Sequence, residues 1–209
     1  MSICFVLIAM ACFLYFTNNC ETINQIMEVL YVGTREGNFS VLTILVHFFV
    51  YFCVILQMDR LLGKQRNMYV MLRCRVKNSK VLLKIQGCEL LKSIVLVLGG
   101  RLLADHFFMF IFDKNIWCLK YVWMILFFTS VLIFISAIGI FMNYYVRTIP
   151  FTNLLGCIVL LMCFIHILLN DWINVHFYSV IGFEIISLVV CAGVVVMRLK
   201  NKITEIERI

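Results

Sequence analysis

Few residues in this chain of 209 could do chemistry, and nearly all of them sit in apolar surroundings. His47 and Cys53 share one apolar run, Arg101 and Asp105 another, and Glu184 a third, while His106, His166 and His176 lie near the boundaries of such runs. A cysteine nucleophile needs an imidazole within hydrogen-bond reach of its thiol. Six positions separate His47 from Cys53, about 600° of rotation on an α-helix and some 120° off a common face. Arg101 and Asp105 are four apart and so share a helix face, where they can pair. Glu184 is well inside its run, and an ionisable residue at that depth is a functional candidate by default. The structural alternative bridges Glu184 to Arg101, Lys92 or a backbone carbonyl of a neighbouring span. The sequence contains no HExxH, no metal-like histidine spacing, no Walker A motif and no glycine-rich phosphate loop. No catalytic residue, metal ligand or cofactor is expected, and lone histidines near a boundary are read as hydrogen-bonding groups.

The elements that must position these residues are membrane spans. Hydrophobic residues make up 64% of the sequence and charged ones 14%, with one proline, whereas soluble domains carry about 25% charged residues. The chain reads as a single membrane domain over residues 1–209 with no room for a soluble one. A formal charge of +7 would suggest nucleic acid in a soluble protein. Here the basic residues gather on one side of the bilayer, as insertion requires, and no nucleic-acid partner is expected. Cys4, Cys12, Cys53, Cys157, Cys163 and Cys191 lie in apolar runs, where a thiol acts as a small hydrophobe. Cys20 and Cys118 are the pair placed for an external disulfide, and Cys74 and Cys88 are expected as reduced thiols.

Six apolar runs, approximately 3–16, 40–58, 93–112, 121–142, 154–169 and 177–197, predict an all-α polytopic membrane protein of six transmembrane helices with both termini cytoplasmic. The first run makes only about 21 Å of helix against a hydrocarbon core of about 30 Å. It lacks the basic n-region and the small-residue cleavage site of a signal peptide, so it is read as an uncleaved span. In the segment 18–38, Ile23, Ile26, Met27, Leu30 and Tyr31 recur at three and four residues. That segment is either a short amphipathic helix lying on the outer interface, ended by Gly33 and Gly37, or an ordinary loop. The third run contains Gly99-Gly100 as well as Arg101 and Asp105. Charges at that depth cost of order 3 kcal/mol each unless paired or facing protein. The expectation is one long helix, N-capped at Ser79, with the charged pair in its outer half facing protein. Residues 113–120 read as an outer turn with Trp117, Tyr121 and Trp123 as an interfacial aromatic belt. Residues 143–153 read as an inner loop and 170–176 as the last outer turn. This topology places thirteen Lys and Arg inside and three, Arg35, Lys114 and Lys120, in outer loops, the asymmetry that orients membrane proteins.

The one large polar block, 59–92, carries eight basic residues against Asp59 as far as Lys84. Within it Tyr69-Val70-Met71-Leu72-Arg73-Cys74-Arg75-Val76-Lys77-Asn78-Ser79-Lys80, followed by an amphipathic-to-apolar helix, resembles the cytoplasmic segment between spans two and three of small six-span ABC exporter permeases. The closest likeness is to permeases that accompany the bacteriocin, lantibiotic or cytolytic-peptide transport ATPases of Gram-positive bacteria. The resemblance implies a permease subunit of the bacterial cell membrane that exports or confers immunity to a peptide or amphiphile. It also implies a second permease, identical or different, and a separate cytoplasmic ABC ATPase that alone hydrolyses ATP. Leu61, Tyr69, Leu72, Arg73, Arg75, Lys77 and Lys80 are then the residues that dock into the ATPase. Two alternatives stand beside this reading. His47 and Cys53 are similar to the His/Cys pair of small, basic, six-span peptidases that process quorum peptides, although plain hydrocarbon precedes His47. A stand-alone immunity or scaffold protein would need no ATPase.

Overall fold

A computed structural model describes residues 3–16, 22–34, 41–75, 79–112, 119–145, 157–158, 161–162, 164–166 and 168–206. Side chains are described at these residues except 3, 23, 61–75, 79–80, 82–83, 86, 89, 112, 140, 142–145 and 200–206. Among the described residues the secondary structure is helical: α1 Ile3–Phe16, α2 Ile23–Tyr31, α3 Val41–Arg75, α4 Ser79–Phe112, α5 Leu119–Tyr145, α6 Asn170–Val175 and α7 Phe177–Ile206. The described residues from 157 to 168 are also helical. Hydrocarbon offers no water to backbone N–H and C=O groups, so each crossing segment must close its hydrogen bonds within itself. Val41–Arg60 of α3, Leu90–Ile111 of α4, Leu119–Gly139 of α5 and Phe177–Leu199 of α7 are long and apolar enough to cross a membrane, and α1 is a shorter apolar helix. The chain is an all-helical, multi-pass membrane protein. The expected fifth span, 154–169, falls partly outside the described residues, as do Lys77, Cys20, Cys118, Trp117, Arg147 and Pro150.

Apart from α2, which is buried on all sides from Ile26 to Tyr31, the helices bury one stripe and turn apolar side chains outward, the pattern lipid demands. On α1 the buried stripe is Leu7, Ala11 and Leu14; on α3 it is Val46, His47, Val50, Tyr51, Val54, Ile55 and Met58. On α4, Ile94, Val97, Arg101, Ala104, Asp105 and Phe108 face inward while Val95, Leu96, Leu103 and Phe110 face outward. The spacing of three and four residues is that of a helix face, but the polar residues lie on the protein side. α5 is central, with 56% of its apolar window buried, and α7 is peripheral, with 11%; the two pack against each other.

α4 runs unbroken through Gly99-Gly100. A glycine costs a helix in water about 1 kcal/mol relative to alanine, but in hydrocarbon the freed backbone groups have no other partner, so the helix persists. α4 opens at Ser79 itself. α3 and α4 both continue beyond their apolar windows, through 61–75 and 79–89, adding about 22 Å and 16 Å of helix at 1.5 Å per residue. Only residues 76–78 join them.

Three expectations change. The 23–31 segment is a helix, but it is buried in the bundle against α1, α3 and α5 and does not lie on an interface. Its apolar face is covered by protein, which is a stronger sink than the headgroup region because the same burial also satisfies its backbone end. Tyr121 is not part of an aromatic belt; it is 1% exposed and its hydroxyl is bonded inside the bundle. Residues 170–175 form α6 and lead into α7, where an open turn was expected.

Candidate functional site: the polar layer at the end of α2

α2 starts with a capping box. The Thr22 hydroxyl accepts from the Gln25 amide, and the Thr22 amide donates to Gln25 Oε1, both at 3.3 Å, which satisfies two of the donors every helix start leaves open. The helix ends at Gly33, whose φ of +81° is a conformation glycine adopts without the penalty a Cβ would bring. The Val32 and Gly33 amides both donate to the Glu28 carbonyl, at 2.8 and 2.9 Å.

That end lies deep. Tyr51, Arg101 and Phe128 fall near the midpoints of the windows Val41–Arg60, Leu90–Ile111 and Leu119–Gly139, and all three meet at Tyr31 or its backbone. A helix that stops at mid-span exposes its last carbonyls where no water is available. Side chains from other elements answer them. His47 Nδ1 donates to the Val29 carbonyl at 2.8 Å, the Tyr51 hydroxyl to the Tyr31 carbonyl at 2.7 Å, and His166 Nδ1 to the Val32 carbonyl at 2.5 Å. These bonds explain how α2 can end inside the bundle.

The charged pair occupies the same layer. Arg101 and Asp105 are 0% and 1% exposed, with Arg101 Nε 3.5 Å from Asp105 Oδ1. Asp105 Oδ2 accepts from the hydroxyls of both Tyr31 and Tyr121, the latter at 2.8 Å. Charge-assisted bonds of this kind contribute roughly 1.5–3 kcal/mol each. The two phenols are the donors and the carboxylate, which has no proton of its own to give, is the acceptor. The guanidinium carbon lies 3.5 Å from the centre of the Tyr31 ring and 5.5 Å from that of Phe128, a cation–π arrangement that gains about 2 kcal/mol or more when desolvated. Its three nitrogens have no hydrogen-bond partner among the described residues. Arg101 is thus held by charge and aromatic faces alone. Arg101 lies just past the midpoint of the window Leu90–Ile111, and Asp105 one turn further toward its C-terminal end.

Glu184 meets neither Arg101 nor Lys92. Its Oε1 is 2.9 Å from His166 Nε2. The buried His166 is therefore a link between α2 and α7 and no boundary residue. His47, spent on Val29 and tilted at 54° against the Tyr51 ring with centres 4.7 Å apart, has no hydrogen bond to Cys53 among the described residues. Cys4, Cys12, Cys53, Cys88, Cys157 and Cys191 are free thiols. At a second junction Lys120 Nζ lies 2.6 Å from the buried Glu28 Oε1, tying α5 to α2. The backbones at Leu61, Tyr69, Leu72, Arg73, Arg75 and Lys80 are helical, and their side chains lie outside the described residues.

In sequence Tyr31 reads as part of an amphipathic face, Tyr121 as a belt aromatic and His166 as a boundary hydrogen-bonder, and nothing marks Tyr51. The Thr22-x-x-Gln25 spacing was a readable start signal for α2, but nothing in sequence pairs Tyr31 with a residue 74 positions away. Comparison of the chain with protein-family models, curated proteins and solved structures gives no match.

Proposed function

We propose that this chain is the membrane-spanning subunit of an ABC-type exporter, with six spans and both termini cytoplasmic, that moves a peptide or amphiphile across a bacterial cell membrane. A separate ATPase drives it, and a second permease, identical or different, completes the pore. One observation carries the reading. α3 and α4 are unbroken helices between the polar layer, at Tyr51 and Arg101, and their polar ends, at Arg75 and Ser79. They cover about 36 Å and 33 Å respectively. A displacement of those ends would reach the buried layer along two continuous helices, as coupling between nucleotide-driven closure and a membrane site requires. A helix that ends at mid-span amid ionisable side chains also supports transport, since discontinuous helices with satisfied termini line transporter sites. Basic side chains around Tyr69 and Leu72 suit a protein groove, with apolar anchors at its centre and charge at its rim.

Co-expression of the chain with the ABC ATPases of its own cell, followed by co-purification, tests the reading, and capture of none of them would overturn it. Tyr69→Ala combined with Leu72→Ala is expected to weaken association while leaving the chain inserted, and charge reversal at Lys77 or Lys80 to do less, because rim charges contribute little. Undiminished co-purification with the double variant, or crosslinks confined to residues 198–209, would remove the coupling assignment.

A further inference from the structure

His166 stands between two acceptors. Nδ1 is 2.5 Å from the Val32 carbonyl oxygen and Nε2 is 2.9 Å from Glu184 Oε1. A carbonyl oxygen has no proton to give, so Nδ1 carries one and donates it. In the neutral ring Nε2 is then a lone pair, and a lone pair facing a carboxylate oxygen at that distance is repelled. The contact is a hydrogen bond only when one more proton lies in it, on Nε2 as imidazolium or on Glu184 as carboxylic acid. These are two positions of the same proton, and they titrate as a pair.

The pair is largely enclosed by protein. The His166 and Glu184 side chains are 3% and 22% exposed, and Glu184 Oε2 is buried with no hydrogen-bond partner among the described residues. Among the described residues, the end of α2 meets His166 at the Val32 carbonyl and α5 meets it at the Phe127 ring, 6.1 Å centre to centre. The other ionisable groups nearby are His47 on α3, within electrostatic reach of His166, and Arg101 on α4, which acts on His47. Asp105 on α4 is occupied by Tyr31, Tyr121 and Arg101.

We propose that His166 and Glu184 form a proton-binding site inside the helical bundle, holding one dissociable proton whose presence ties α7 to the end of α2 and whose loss unties it. Release to solvent leaves a neutral imidazole and a carboxylate, so the pair passes from zero net charge to one negative charge, and no bond other than the one to hydrogen changes. Val32 follows Tyr31 directly, so the link reaches the Arg101 layer through one peptide unit. This inference does not rest on the exporter reading.

Thermal unfolding of the full chain in detergent, followed from about pH 5 to pH 9, tests it. The bridge exists only with the proton bound, so the wild-type midpoint falls in a one-proton step as pH rises. Glu184→Gln replaces the titrating oxygen by an amide N–H that donates to Nε2 at every pH, and it abolishes that step. A flat wild-type profile, or the same step in Glu184→Gln, overturns the proposal. If Glu184→Gln does not fold, nitrogen NMR of histidine-labelled protein decides, with the exposed His106 and His176 replaced by Gln to leave two rings. An Nε2 resonance that titrates while Nδ1 stays protonated upholds the site; two neutral rings with unchanging Nε2 lone pairs across the range overturn it.

Discussion

The guanidinium carbon of Arg101 lies over the ring of Tyr31, 3.5 Å from its centre, while the hydroxyl of that same ring donates to Asp105. Tyr31 thus serves both members of the ion pair, one through its π face and one through its O–H. The two charges do not depend on each other equally. Without Arg101, Asp105 keeps two phenolic donors; without Asp105, Arg101 keeps only aromatic faces.

Asp105→Ala is therefore expected to cost more than Arg101→Ala. Removing one partner of a buried pair costs about 3–5 kcal/mol because it strands the other charge, and the stranded guanidinium is the worse case. Replacing both, by Arg101→Leu with Asp105→Leu, should recover part of the folded yield. The monodisperse fraction in size-exclusion chromatography measures all three, and equal yields for the two single variants would contradict the asymmetry.

Gly33→Ala meets two obstacles at once. The backbone φ of +81° costs an L-residue roughly 1–2 kcal/mol, and the new Cβ would come within 2.7 Å of His47 Cδ2. In a His47→Ala background the collision disappears but the φ penalty stays, so a partial rescue of the melting midpoint is expected. His47→Ala alone leaves the Val29 carbonyl without its donor, a loss of about 1–3 kcal/mol. Cys53→Ala, by contrast, should leave both folding and function unchanged; lost function with intact insertion would revive a Cys/His hydrolase.

The orientation is checked by thiol labelling of a chain whose native cysteines have been replaced. Single cysteines at Asn24 and Asn174 should react with an impermeant reagent in intact cells, and those at Asn78 and Asn201 only after lysis. Labelling at Asn78 without lysis would invert the topology.

Much of the architecture was legible in the chain alone. Hydrocarbon demands internally bonded helices of a given length, so apolar runs map onto α1, α3, α4, α5 and α7 almost directly. The pairing of Arg101 with Asp105 was also legible, since four residues on a helix are one face whatever surrounds it. Only the tertiary structure decided what that face meets. Sequence periodicity marks 23–31 as amphipathic but carries no information on whether lipid headgroups or protein cover the apolar side. The bundle covers it because His47, Tyr51 and His166, scattered over more than a hundred positions, converge on carbonyls that a buried helix end cannot leave unpaired. Glu184 likewise reads as an isolated acid in sequence. Its partner His166 becomes visible only when α7 is laid beside the end of α2, because hydrogen bonds between helices depend on packing, and packing is set by the whole bundle.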